Sequence, residues 1–279
     1  MHDTKKYSEN LAAFVKTIAA LRTPGTGCPW DLEQTHQTLR PYLLEETYEV
    51  LAAIDSASDV ELREELGDLL LQIVIHCQLA TERSAFTFGD ITEAANKKMI
   101  ERHPHVFGDV TATSSAEVLK NWEKIKAEKK GSKESMFADI PAAMPALLKA
   151  QRVGEKASRV NFDWDSAAEV FLKVTEELDE FKKECSKISL TLDKPLNSQP
   201  IDRDPELQKR MEDEFGDLLF SLVQYGRWIG CNAEDSLRGA CNRFMTRFGN
   251  MEKASDRPLK DQSRERLEEL WNEAKITLG

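Results

Sequence analysis

The feature that most restricts how this 279-residue chain can fold is an internal repeat written in helical periodicity. LLEETYEVL (43–51) has a counterpart in KVTEELDEF (173–181), and ELGDLLLQIV (65–74) has one in EFGDLLFSLV (214–223). The order is kept, with an offset of 131 for the first pair (176 − 45) and 149 for the second (217 − 68). A chain that repeats itself in order builds one supersecondary unit twice. Apolar residues recur at helical spacing in 9–22, 41–54, 61–83, 90–102, 115–129, 166–185, 206–229, 234–248 and 262–276, and nothing alternates as a strand does. The chain is therefore expected to be all-α, with a first domain over 1–130, a connecting segment over 131–160 that includes DIPAAMPALLKAQR, and a second domain over 161–279. The 18 extra residues of the second copy (149 − 131) fall in SKISLTLDKPLNSQPIDRDP, which reads as a loop.

Charge narrows the partners. Asp and Glu number 49 against 38 Lys and Arg, for a formal net charge of -11. The resulting field repels DNA and anionic membranes, so neither is an expected partner, and an anionic substrate needs a local basic pocket or a metal. The five cysteines are odd in number and form no CxxC, which points to reduced thiols. The start MHDTKKYSEN lacks a signal-peptide core, and the longest apolar run, Leu69–Ile75, is too short to span a bilayer, so a cytoplasmic protein is expected.

The repeated motifs are acidic. Glu45, Glu46 and Glu49 share one face of a helix, since each residue advances by about 100°. On the next helix Glu65 and Asp68 are i and i+3 neighbours, with Leu66, Leu69, Leu70 and Ile73 to pack that helix on the first. Like charges at this spacing normally find a Lys or Arg one turn away, and the first copy supplies none. Asp68 after Gly67 also fits an N-cap. Capping leaves Glu65 unexplained, as well as the return of all five acids as Glu176, Glu177, Glu180, Glu214 and Asp217. Clustered carboxylates raise one another's pKa unless a cation neutralises them, and an all-oxygen set selects a hard ion, magnesium or manganese in its place. His76, eight residues past Asp68, reads as a helix residue without catalytic duty. Because magnesium is commonly held between carboxylates and phosphate oxygens, a polyphosphate ligand is expected.

Basic residues repeat too. Lys98 and Arg102 match Arg243 and Arg247 at an offset of 145 (243 − 98), and Trp122 with Lys126 matches Trp271 with Lys275 at 149 (271 − 122). Arg forks suit phosphate, although each pair also fits a solvated helix end, and each Trp fits a core position. One local difference separates the copies. Lys173 lies three residues before Glu176 and four before Glu177, where the first copy has Tyr42 (173 − 131). A lysine there can bind substrate phosphate or pair with Glu177 along the helix. On the first of these alternatives, the second copy is expected to carry most of the catalysis.

Together GCPWD (27–31), LEETYEVL (44–51), ELGDLL (65–70), ERHPHVF (101–107), DIPAAMPAL (139–147), NFDW (161–164), EELDE (176–180) and EFGDLLF (214–220) resemble the MazG family of nucleoside triphosphate pyrophosphohydrolases in its tandem-domain form. The resemblance implies helical bundles completed by dimerisation, hence a homodimer. It also implies hydrolysis of nucleoside triphosphates to the monophosphate and pyrophosphate by attack of metal-activated water at the α-phosphorus. On this resemblance Glu46, Glu49, Glu65 and Asp68, with Glu177, Glu180, Glu214 and Asp217, are metal ligands. Glu45 and Glu176 then either support the ligands from behind or orient water, and Arg243, Arg247, Trp271 and Lys275 contact the nucleotide. The 33-residue spacer from 181 to 213 is longer than the family's. The competing reading is a non-catalytic helical scaffold or nucleotide-binding regulator, which would release no pyrophosphate.

Overall fold

A computed structural model describes residues 4–115, 117–118, 121–122, 125, 135–187 and 204–278. Lys126, most of the expected helix 115–129 and residues 188–203 of the expected loop 186–205 lie outside the described residues. Every regular element among the described residues is helical. The chain divides into two compact units, Met1–Gly131 and Ser132–Gly279.

The first unit contains α1 (Thr4–Leu21), α2 (Pro29–Glu33), α3 (Arg40–Asp55), α4 (Asp59–Glu82), α5 (Phe88–Arg102) and α6 (Pro104–Phe107). Its centre is the hairpin of α3 and α4, with α1 packed on α4. Ile18, Leu39, Val74, Ile75 and Leu79 form the buried core, flanked by Phe14, Leu70 and Phe88. Ser58 caps α4 by accepting a hydrogen bond from the Glu61 amide at 3.3 Å. The helix then runs unbroken through Gly67, so Asp68 lies in its interior and does not cap it.

The second unit contains α7 (Ala146–Ser158), α8 (Ala167–Cys185), α9 (Pro205–Trp228), α10 (Ala233–Ala254), a 3-10 turn (Leu259–Asp261) and α11 (Arg264–Leu278). Its central hairpin pairs α8 with α9, and α10 packs on α11 around Met251, Leu270 and Ala274. Helix α7 lies inside the segment read from sequence as a connection, and it packs against α9 as α1 packs against α4. The repeat therefore includes a helix ahead of each acidic hairpin.

Each of these seams is clamped by an ion pair, with opposite polarity in the two copies. In the first unit Arg22 sends Nε and Nη2 to the two Glu82 carboxylate oxygens, both at 2.8 Å. In the second, Arg227 sends Nη1 and Nη2 to Asp163 at 3.0 and 2.6 Å, and the Trp228 indole donates to the same carboxylate at 3.0 Å. These are bidentate, charge-assisted bonds.

Gly154 shows how closely α7 approaches α9. A Cβ at this position would overlap Gln224 Oε1. Gln224 is fully buried and held on both sides, its Nε2 donating to Ala150 O at 2.9 Å and its Oε1 accepting from Arg227 Nε at 3.0 Å. We expect Gly154→Ala to destabilise the protein by about 1–3 kcal/mol through overpacking, despite the higher helix propensity of alanine. Urea unfolding checks this, and an unchanged or raised midpoint would mean that Gln224 moves aside freely.

Candidate active site

The hairpins bring the repeated acids together in both units. In the first, Glu46 and Glu49 of α3 and Glu65 of α4 place one carboxylate oxygen each within 4.8 Å of one another. In the second, Glu177 of α8 and Glu214 and Asp217 of α9 do the same. Residues one helical turn apart share a face, and the pairing of α3 with α4 and of α8 with α9 brings the two acidic faces of each unit together. Asp68 and Glu180 stand beside these triads. Burial and then the charges of Asp68, Glu49, Glu65 and Glu45 push the Glu46 carboxyl above its ordinary value. Glu65 is raised by burial and then by Glu49 and Asp68, and Glu214 by burial and then by Glu180, Glu177 and Asp217. This is the expected signature of carboxylates that share a space without enough positive charge. An oxygen-only donor set of this density fits a hard divalent cation, and neither triad contains the His or Cys that zinc prefers.

The copies differ at Lys173. Its Nζ lies 2.6 Å from Glu177 and 2.9 Å from Glu176, so the lysine forks across two neighbouring carboxylates. The hydrogen bonds to Glu177 and then Glu176 raise its ammonium above the ordinary value. The pairing alternative is thus formed in the nucleotide-free chain. Tyr42, its counterpart, sets its ring edge-on to Trp30 with centroids 5.8 Å apart.

The expected basic residues lie on the last two helices of the second unit. Trp271 of α11 packs against the Met251–Leu270–Ala274 cluster, with the Phe244 ring 5.0 Å away and Lys275 Nζ 5.7 Å from its centroid. Arg243 and Arg247 lie on α10, one position before Phe244 and Phe248. Among the described residues no ion pair joins Arg243 or Lys275 to Glu177, Glu214 or Asp217. In the first unit the corresponding Arg102 lies over the Trp122 ring, 5.0 Å from its centroid.

One contact has no counterpart in the sequence motifs. His36, just before α3, and His76 of α4 face each other with Nδ1 atoms 2.8 Å apart. Burial, and then the charge of His36, lowers the pKa of His76. The two residues are 40 positions apart in unrelated motifs, and no spacing rule connects them. No helix among the described residues is long and apolar enough to cross a membrane.

The chain is similar to proteins already known. Residues 34–107 match the model of the MazG nucleotide pyrophosphohydrolase domain. The chain is 42% identical over 265 residues to the nucleoside triphosphate pyrophosphohydrolase/pyrophosphatase MazG of Thermotoga maritima, an alignment covering 94% of each chain. It is 41% identical over 260 residues to the nucleoside triphosphate pyrophosphohydrolase of Escherichia coli K12, covering 91% of this chain and 93% of that one. It is also 38% identical over 279 residues to YabN of Bacillus subtilis, an uncharacterized protein of which the match covers 53%.

Proposed function

Because this chain belongs to the MazG family of nucleotide pyrophosphohydrolases, we propose that it hydrolyses nucleoside triphosphates to the monophosphate and pyrophosphate at its paired carboxylate clusters. The observation that carries this reading is the convergence of an acidic triad at the helical hairpin of each unit, with Glu46 and Glu65 of the first repeated as Glu177 and Glu214 of the second, while the third member is Glu49 in one and Asp217 in the other. Glu177, Glu180, Glu214 and Asp217 in one unit, and Glu46, Glu49, Glu65 and Asp68 in the other, hold divalent cations, magnesium or its substitute manganese. Bound there, such ions offset triphosphate charge and acidify water.

The chain's own groups do the rest. Glu176, beside the ligand Glu177, orients the attacking water and takes its proton. The water oxygen bonds to the α-phosphorus as the bridge to the β-phosphorus breaks, and pyrophosphate leaves with the bonding electrons. Lys173 turns from its carboxylates to a phosphate oxygen, so the second unit carries most of the turnover. Arg243, Arg247, Trp271 and Lys275 hold the nucleotide.

A homodimer fits two features. Phe171, Leu172, Phe215 and Leu222 are exposed on the helices that carry the second cluster, and an isologous partner would cover them. A second copy would also bring basic residues to Glu214 and Asp217, which form no ion pair with a Lys or Arg among the described residues. We place the enzyme in the cytoplasm, where clearing unwanted nucleotides from the pool is the role that suits this chemistry.

A product-resolved assay over canonical and damaged triphosphates tests the reading. Activity should vanish in EDTA, return with magnesium or manganese, and yield one pyrophosphate per monophosphate. Diphosphate with orthophosphate, or full activity in EDTA, contradicts it. Within the nucleotide site, Arg247→Ala should raise KM about tenfold, the scale of one charge-assisted bond, and Arg247→Lys should recover part of this. Unchanged kinetics in both variants would remove Arg247 from the site.

A further inference from the structure

The two clusters share two repeat-related acids, Glu46 with Glu177 and Glu65 with Glu214, and differ in resident charge. In the second unit Glu177 is 6% exposed and already has a cation beside it, the Lys173 ammonium at 2.6 Å, which also reaches Glu176 at 2.9 Å. A buried carboxylate needs such a counterion, and a divalent ion entering the cluster must displace the ammonium or share the carboxylate with it. In the first unit no Lys or Arg among the described residues is ion-paired with Glu46, Glu49, Glu65 or Asp68. The position of Lys173 is filled there by Tyr42, whose ring is turned to Trp30.

We propose that the two units load their cations in different orders: the first binds a divalent cation before any nucleotide is present, and the second takes one up only together with a triphosphate. The inference rests on the reading of both clusters as cation sites. A triphosphate resolves the competition in the second unit because its oxygens accept the Lys173 N–H groups in place of Glu177, which frees that carboxylate for the ion. Nucleotide and cation affinity are then coupled in the second unit, so that it stays unloaded while triphosphate is scarce. Among its described residues the first unit has no lysine paired with the cluster to release, and its ion serves as a standing part of the fold.

The test is a manganese titration of the full chain without nucleotide, followed by electron paramagnetic resonance. One tight class of sites is expected, removed by Glu46→Gln and untouched by Glu177→Gln. Tyr42→Lys should weaken that class by about tenfold, and Lys173→Met should create a second class of comparable affinity. A non-hydrolysable triphosphate should add manganese to the parent protein, and Glu177→Gln should abolish that addition. The near-isosteric Gln variants keep the hairpins intact, and far-UV circular dichroism verifies this for all four proteins. Two clusters of equal affinity without nucleotide would overturn the loading order, as would unchanged affinities after both exchanges at the Tyr42 and Lys173 positions. Absence of bound manganese without nucleotide would also overturn it. Absence even with the triphosphate would overturn the cation sites and the proposed function along with it.

Discussion

Glu177→Ala should reduce pyrophosphate release by at least about a hundredfold, the scale on which metal and transition-state groups act, while Glu46→Ala keeps most of it. Both residues occupy the same place in the repeat, and both belong to a converged triad. They differ in what surrounds them. Glu177 is joined through Lys173 to Glu176, which gives the second unit a positive charge beside the proposed metal ligands and next to the carboxylate proposed to orient the water. The first unit has only the Tyr42 phenol there, so the account gives it cation binding without comparable turnover. Steady-state kinetics of both variants, each checked for native helix content, decide the matter. Similar losses in the two would contradict the asymmetry and make the copies equivalent catalysts.

Arg227→Ala should be the most damaging single change to the second unit outside the carboxylates, costing about 2–4 kcal/mol. The side chains of Arg227 and Asp163 are 14% and 18% exposed, and the guanidinium also donates to the buried Gln224. Removing it leaves the Asp163 charge with only the Trp228 indole and the Trp164 amide, neither of which offsets the charge. The hydrogen bonds from Arg227 hold the Asp163 carboxyl below its ordinary value. A depressed carboxyl contributes stability that is present above its unfolded pKa and lost as pH falls through the folded one. The gap between the parent and Asp163→Asn should therefore be wide at neutral pH and close below about pH 4, where unfolded aspartate protonates. Urea unfolding at pH 7 and pH 3 measures this. Arg152→Ala, at a largely exposed pair with Glu155, is the control and should change little. Equal losses in the two arginine variants would show that the clamp adds nothing beyond a surface ion pair.

The acidic part of the site was legible because it is local. Glu45, Glu46 and Glu49 share a face by helical geometry, as do Glu65 and Asp68, and only one tight turn separates α3 from α4. The return of the pattern in α8 and α9 then marked the acids as a set. Helix α7 was hidden for a physical reason. Two prolines precede it and a glycine interrupts it, signals that normally describe a loop, yet Gly154 is there because the buried Gln224 lies against the helix. The end of α10 was similarly placed too early, at Phe248, whereas the helix continues through Gly249 to Ala254, supported by the packing of Met251 on α11. Asp68 could pass for a cap because Gly–Asp ahead of an apolar run resembles a helix start, and only the Ser58 cap shows where α4 begins. The His36–His76 contact and the reversed ion-pair clamps depend on which helices meet, which periodicity does not encode.

Hydrolysis in water enriched in oxygen-18, with mass analysis of both products, tests the central claim most directly. Attack at the α-phosphorus predicts one labelled oxygen in every nucleoside monophosphate and none in pyrophosphate, in a reaction that stops on chelation and is lost in Glu177→Ala. Label in pyrophosphate would place the attack at the β-phosphorus. Labelled orthophosphate as the primary product would place it at the terminal phosphorus, and either result would contradict the account.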